Sequence, residues 1–488
     1  MATDSSQQSS SASTSSSHSP STPSLPHDDA QAHPSKALEE MSLNTQWKQR
    51  DLASVWHPCT QMKDHETLPM IPIKRGKGAW VEDFEGKRYL DVVSSWWVNI
   101  LGHANSEINA RIKEQMDELE HIILAGFTHQ PVIELSERLT RLTPEGLGHC
   151  FYADSGSAAI EIALKMSFHY WKNNGHPEKR RFLSITNGYH GETLGALSVS
   201  DVGLYTATYN ALMLDVIKVP SPDCFGLPRD EWDAHASAMF EQMEATLERH
   251  AHELAAVILE PLIQCAGGMR MYPPSYLKRL REACDRYNVQ LIFDEIAVGF
   301  GRTGTLFAAE QAGVSPDYLC LSKALTGGYL PLSVVLTTDD IYAAFYDDYE
   351  SLRGFLHSHS YTGNPLACTA ALATLDIIER DNIIEANKAK SATMAKAAAP
   401  LRDLPHVGDV RQTGMVVAIE LVKDKETLTP YPWQERRNTQ VYQHAYSRGV
   451  LLRPLGNVIY WMPPYVISED EIAWLGEVTA ECVEVATR

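Results

Sequence analysis

From about residue 150 to 335, short apolar runs alternate with stretches of helical period. "FLSIT", "AAVILE", "VQLIFD" and "YLCLSK" read as buried strands. "YLKRLREACDRY" reads as a helix, and so does the stretch after Asp154, where Ile160, Leu164, Phe168 and Trp171 share a face. A Glu161/Lys165 pair is spaced to support that second helix. The alternation predicts an α/β fold, a mostly parallel sheet with helices on both faces. In such sheets ligands gather at the carboxyl ends of the strands.

The flanking regions read differently. "GAWVEDFEGKRYLDVVSSWWVNILGH" alternates apolar and polar residues around Glu85-Gly86, which predicts a hairpin. A helical period follows at Ile108, Ile112, Met116 and Leu119. Another starts at Pro131, with Val132, Leu135, Leu139 and Leu142 on one face, and stops at Thr143-Pro144. Beyond about 378 come an Ala/Lys-rich helix, the strand "GMVVAIELV", a helix near Val441 to Ser447 and strands around "GVLLRPLGNVIYWMPPYV". These predict a smaller α+β domain (378–488), joined by the N-terminal hairpin region (45–105) and set beside a large domain (106–377). Residues 1 to about 44 are rich in Ser, Thr and Pro and almost free of large apolar side chains, which predicts a disordered tail. The tail has neither the apolar core of a secretory signal nor the arginines of a transit peptide.

Composition narrows the partners. A net charge of -20 argues against nucleic acid or an anionic membrane. No apolar run approaches the ~18 residues of a membrane span. The eight cysteines form no C-x-x-C pair and several lie in apolar runs, which suits reduced thiols, a cytoplasmic location and no zinc site.

The chemistry sits at the strand ends. "VQLIFDE" stops at Asp294-Glu295, and "YLCLSK" stops at Lys323. A charge at the mouth of a buried strand is costly without a partner, so the two ends aim an acid and an amine at one crevice. A buried ion pair alone would account for them equally well. "DSGSAAIEIALKM" adds a Ser/Gly turn, with Gly156 and Ser157 opening a helix, an arrangement that binds phosphate or serves as a plain N-cap. "NGYHGETLGALS" sets Tyr189 and His190 between glycines, where a ring can meet a ligand or pack beneath a turn. Acid, amine, phosphate cradle and aromatic plate together suggest pyridoxal phosphate, whose aldehyde needs a lysine and whose ring nitrogen needs a carboxylate. "GFGRTG" matches a dinucleotide fingerprint in letters only, since five residues separate it from its strand. The cluster around His357 and His359 lacks further ligands at metal spacing, so no metal is expected.

From about Trp56 onward the chain resembles the class III, or omega, aminotransferases. The motifs are "FDEIAVGFGRTG", "PDYLCLSKALTGGYLP" and "SYTGNPLACTAALATL". The resemblance implies fold type I, pyridoxal phosphate and a homodimer with shared active sites. It implies Lys323 as the Schiff-base and proton-shuttling residue, Asp294 at the ring nitrogen, Gly156 and Ser157 at the phosphate, and Tyr189 on the ring. Ser360, with His359 beside it, would reach the phosphate of the partner subunit. "WHPCTQM", "VVSSWWVNILGH", "NGYHGETLGALSV" and "LLRPLGNVIYWMPPY" are similar to the branch of the family that aminates 8-amino-7-oxononanoate in biotin biosynthesis, with S-adenosylmethionine as donor. That likeness implies Trp96, Ser358, Arg453 and Tyr460 as substrate contacts beside Tyr189 and Lys323. Arg453 would take the distal carboxylate. Cys59, Ser358 and Cys265 depart from the branch pattern where the donor binds, which keeps lysine open as donor, or another omega-aminotransferase activity on a diamine or β-amino acid.

Overall fold

Seven strands form the central sheet of the described residues, in the order His149–Ala153, Ser333–Thr337, Tyr318–Leu321, Gln290–Asp294, Leu254–Leu259, Arg181–Ile185 and Val216–Val219. The structure is a computed structural model and describes residues 41–68 and 70–488. All neighbours in the sheet are parallel except Ser333–Thr337, which runs against both of its neighbours. The four runs read as strands are strands, within a residue or two of their expected ends.

Period-2 alternation sorts the side chains of these strands into two cores. Ile258, Ile292, Tyr318, Cys320 and Val335 pack with the helix Gly156–Asn173. Val257, Leu291, Phe293, Leu319 and Leu321 belong to the other core, with residues of the helices Trp232–His250 and Pro274–Tyr287. Phe293 and each of those leucines are fully buried, contributing about 1.5–3 kcal/mol apiece.

Two expectations for the helix Gly156–Asn173 fail. Phe168 lies off the buried face, which Ile160, Leu164 and Trp171 share with Ala159, Ile162, Ala163 and Met166. Glu161 and Lys165 do not pair. The Glu161 carboxylate accepts from the N–H groups of Gly195 and Ala196, at the start of the helix Leu194–Val199, and Lys165 reaches His357. Two backbone donors at a helix start outcompete an exposed ion pair, which is worth only a few tenths of a kcal/mol, about 0.3–0.5.

The predicted hairpin pairs Trp80–Asp83 with Arg88–Asp91, and Val450–Leu451 lies parallel beside it, so N- and C-terminal segments share one sheet. A second sheet joins Val407–Thr413, Val416–Asp424, Thr429–Pro430 and Val458–Trp461. Arg411 ties this sheet to the turn at Gly268-Met269: its guanidinium meets Asp409 and Glu420 and donates to the carbonyls of both turn residues. The predicted disordered tail lies outside the described residues up to residue 40. Its last residues do not fit the expectation: Ser42 caps a helix, Leu43–Ser54, and Asn44 is hydrogen-bonded to Asp83 and Phe84.

The segment Ser94–Trp97 also departs from expectation. It is not a strand but four consecutive left-handed residues, with φ of 48°, 47°, 71° and 75°. Such residues cost about 1–3 kcal/mol each and persist only where the surroundings hold them. Here the Asp91 carboxylate accepts from the Ser95 N–H and hydroxyl, Ser94 Oγ donates to the Met462 carbonyl, and Arg302 donates to the Trp97 carbonyl.

Candidate active site

Parallel neighbours end at the same edge of a sheet, and this brings Asp294 and Lys323 together. Asp294 closes its strand in register with Cys320. Lys323 follows two residues after the next strand ends, at φ 47°, and opens the turn Lys323–Thr326. The turn is finished by Gly327 and Gly328, both at positive φ, and a Cβ on Gly328 would lie 3.1 Å from the Asn99 backbone. The second acid of the Asp-Glu pair points elsewhere: Glu295 accepts from the N–H groups of Ala308 and Ala309.

Asp294 is buried and fixed from two sides. One oxygen accepts from the Ile296 N–H at 3.1 Å, and the other from His190 Nδ1 at 2.7 Å. His190 is itself held by its N–H on Ser200 Oγ at 2.8 Å. Its Nε2 is buried without a hydrogen-bond partner among the described residues. Burial pulls the Lys323 pKa below the usual lysine value, with Asp294, Cys265 and Glu260 opposing. Its Nζ stands 5.1 Å from the centre of the Trp97 ring.

Glu260, at the end of the strand Leu254–Leu259, was not singled out in the sequence. Its carboxylate accepts from the Tyr189 and Cys265 N–H groups, each at 2.9 Å. Burial first, then Asp294, push its pKa up to about 7, against His190 and the two N–H groups. The signal was present: "AAVILE" is an apolar strand ending in a carboxylate, as "VQLIFD" is.

The predicted phosphate cradle is built by contact between two turns. Ser155 caps the helix by accepting from the Ala158 N–H, and Gly156 and Ser157 are its first residues. First-turn N–H groups have no acceptor within a helix, and no acidic side chain occupies this first turn. Gly191 closes over it at φ 123°, where an added Cβ would stand 2.1 Å from Ser157 Oγ. Ser157 Oγ accepts from the Glu192 N–H at 3.2 Å. Tyr189, in the same turn, donates its hydroxyl to Glu192 Oε1 at 2.9 Å and packs 5.2 Å from the Tyr205 ring.

The mouth of the crevice gathers the predicted substrate contacts. The Arg453 guanidinium lies 4.3 Å over the Trp96 ring, and Nη2 donates to the Cys59 carbonyl at 3.3 Å. Cys59 Sγ is 3.8 Å from Glu192 Oε1. Trp97 donates Nε1 to the buried Tyr460 hydroxyl at 3.1 Å. The left-handed run sends the two tryptophans apart: Trp96 to the exposed arginine, Trp97 to the lysine. Ser358 and Ser360 are exposed, and no side-chain hydrogen bond ties either to these groups among the described residues. The Ser360 carbonyl accepts from His121, and His359 donates to Asp154 of the same chain at 2.9 Å.

"GFGRTG" (299–304) forms turns in which Arg302 is buried and donates to the Pro463 carbonyl. It opens no helix at that point and so lacks the context of a dinucleotide site. No group of three metal-binding side chains occurs among the described residues. The residues present fit pyridoxal phosphate: an amine of lowered pKa, a buried carboxylate locked by a histidine, and a helix start too close to Gly191 for any side chain there.

The aminotransferase class-III family model matches residues 61–483. The chain belongs to the class III aminotransferases. These are pyridoxal-phosphate enzymes of fold type I, and the architecture agrees. The adenosylmethionine-8-amino-7-oxononanoate aminotransferase of Helicobacter pylori is 48% identical over 427 residues, which cover 86% of this chain and 94% of that one. The crystal structure of the enzyme of the same name from Methanocaldococcus jannaschii superposes with a TM-score of 0.86 at 39% identity, covering 90% of this chain and 99% of that one. An amine transaminase from an uncultivated Pseudomonas species, solved in its PLP-bound (internal aldimine) form, has a TM-score of 0.82 at 34% identity over 89% of this chain and 98% of its own. In this aminotransferase the residues that sequence reasoning missed, Glu260, Glu192 and Tyr205, all act on the Tyr189 turn.

Proposed function

We propose that the protein aminates 8-amino-7-oxononanoate to 7,8-diaminononanoate in biotin biosynthesis, with S-adenosylmethionine as amino donor. The observation that carries this reading is Arg453 over Trp96 at the mouth, leading to Trp97, Tyr460 and Lys323. A long apolar substrate with a carboxylate at its far end suits aromatic walls that end in a guanidinium. The relatives from H. pylori and M. jannaschii carry the name of that activity.

Pyridoxal phosphate, when bound, supplies an electron sink for the carbon that bears the amine. Lys323 would hold it by its amine, Asp294 would face its ring nitrogen and Tyr189 would lie against its ring. Gly156, Ser157 and the helix start would take its phosphate. His190 keeps Asp294 oriented by donating to it. Beside the bound cofactor the Lys323 amine would accept the proton that leaves the donor's amine-bearing carbon, and in the second half of the exchange it would supply a proton to the corresponding carbon of the keto substrate. Its lowered pKa leaves more free amine at neutral pH than an exposed lysine has. Arg453 grips the carboxylate of the keto substrate, while Trp96 and Tyr460 exclude water from its methylenes.

The enzyme works as a cytoplasmic homodimer. Ser360, with His359 and Ser358 beside it, is exposed and free to meet the phosphate site of a second copy. Lysine is the second donor reading: the Glu192 carboxylate at the mouth suits any cationic donor, a sulfonium or an ammonium. Product formation from 8-amino-7-oxononanoate, with S-adenosylmethionine and lysine offered separately, tests the reading. Diaminononanoate formed with S-adenosylmethionine supports it, formation with lysine alone reassigns the donor, and none with either refutes it.

A further inference from the structure

Beyond the crevice, a hydrogen-bonded chain links the helix Gly156–Asn173 to the loop that carries Ser360. Lys165 Nζ lies 2.8 Å from His357 Nδ1, His357 Nε2 lies 3.3 Å from His359 Nε2, and His359 Nδ1 lies 2.9 Å from Asp154 Oδ2. An ammonium only donates, so His357 Nδ1 accepts and its proton sits on Nε2. A carboxylate only accepts, so His359 carries its proton on Nδ1 and leaves Nε2 bare. The two constraints meet at the contact between the rings, with a donor on one side and a lone pair on the other. Both rings are therefore neutral, all four ring nitrogens are used and none is left for a metal. Phe355 stacks on His357 at 5.8 Å, and the His359 N–H donates to Thr362 Oγ1 at 3.0 Å. The loop from Phe355 to Thr362 is thus pinned at two points, to Lys165 in the helix and to Asp154 just before it, with Ser360 between His359 and Thr362.

We propose that Lys165, His357 and His359 form a latch, intact only while both imidazoles are neutral, that holds Ser360 where it meets the cofactor phosphate of a second copy of this chain. This rests on the reading that Ser360 serves the partner's site. The latch residues are positioning residues. A proton added to His359 Nε2 faces the His357 Nε2–H, and one added to His357 Nδ1 faces the Lys165 ammonium. Either replaces a hydrogen bond by two opposed donors. The charged groups facing the pair are Lys165, Asp154 and, more distantly, Glu161. Burial, then Lys165 and His359, hold His357 below its ordinary value of 6.5, with Glu161 opposing. A folded-state value below the unfolded one means that His357 is neutral above pH 6.5 and that the latch is lost as pH falls through its lowered value.

The test is titration of pyridoxal phosphate into the apo protein, followed by absorbance, between about pH 5 and 8. His357→Phe keeps the stacking on Phe355 and removes both hydrogen bonds. It binds about tenfold more weakly than wild type at the upper pH, the loss expected of one or two hydrogen bonds. The two proteins converge at the lower pH, because the wild type has lost the same contacts. Lys165→Met breaks the chain from an exposed position and gives the same convergence, should His357→Phe fold poorly. A ratio that stays constant across the range, or wild-type affinity in both variants at the upper pH, overturns the latch. Ser360→Ala weakens binding at the upper pH and converges with wild type at the lower; a silent Ser360→Ala at the upper pH overturns both the Ser360 assignment and the latch. Wild-type protein that takes up no pyridoxal phosphate overturns the proposed function instead.

Discussion

Replacing Gly191 by alanine tests the phosphate cradle, and its cost can be read from the backbone. At φ 123° the residue occupies a region that is nearly closed to side chains, a strain of about 1–3 kcal/mol for alanine. The new Cβ would stand 2.1 Å from Ser157 Oγ, 2.7 Å from Ser157 Cβ and 3.0 Å from Ser157 Cα. A side-chain rotation relieves only the first of these, so the first turn of the helix must shift, at about 1–3 kcal/mol more. Gly175 is the control. It too has positive φ, at 82°, but nothing lies within 4 Å of its Cβ position, so Gly175→Ala costs strain alone, about 1 kcal/mol. Calorimetric melting of the apo proteins reads stability, and titration with pyridoxal phosphate reads the site. Gly191→Ala melts several degrees lower and binds the cofactor at least about tenfold more weakly, whereas Gly175→Ala melts slightly lower and binds normally. A Gly191→Ala protein that melts lower yet binds with wild-type affinity would refute the placing of the phosphate at Ser157.

Three further outcomes follow from charged groups. Glu260, with its pKa pushed up to about 7 from 4.5, keeps its proton in the folded state over that range while the unfolded chain loses it, so stability is full below pH 4.5 and falls by about 3 kcal/mol as pH rises to 7. Glu260→Gln flattens that slope in apo-protein melting curves, and parallel curves for the two proteins would discount the shift. Arg453→Ala raises KM for the keto substrate at least about tenfold while changing kcat little; equal losses in kcat and kcat/KM would place Arg453 at the transition state instead. Arg411→Met leaves Asp409 buried without its cation and Glu420 with Arg270 alone and lowers stability by about 3–5 kcal/mol in denaturant unfolding, and a loss under about 1 kcal/mol would show the cluster to be well hydrated.

The sheet and its catalytic edge were legible because they depend on local pattern. An apolar run that stops at Asp294 or Lys323 announces both the strand and the place where it meets solvent. The same rule applied to "AAVILE" would have found Glu260. What escaped reading depends on distant partners. Glu161 and Lys165 have ideal spacing for a pair, yet each has a better partner in another segment. "SSWW" carries no Gly, Asn or Asp to favour a left-handed course, which is imposed by Asp91, Met462 and Arg302. Phe168 obeys the helical period and still faces outward, because the buried stripe is set by the sheet beneath rather than by the helix alone.

The left-handed run also bears on the order in which the chain can assemble. Ser94 leans on a carbonyl 368 positions further along, and Trp97 on a guanidinium 205 positions further. A growing chain leaving the ribosome cannot hold Trp96 and Trp97 in place until both have been made and packed. The mouth of the pocket is therefore finished after the cradle of Ser157, Gly191 and Asp294, whose parts all lie earlier than Met462. A chain arrested before that point would carry a place for the cofactor with no walls for the substrate.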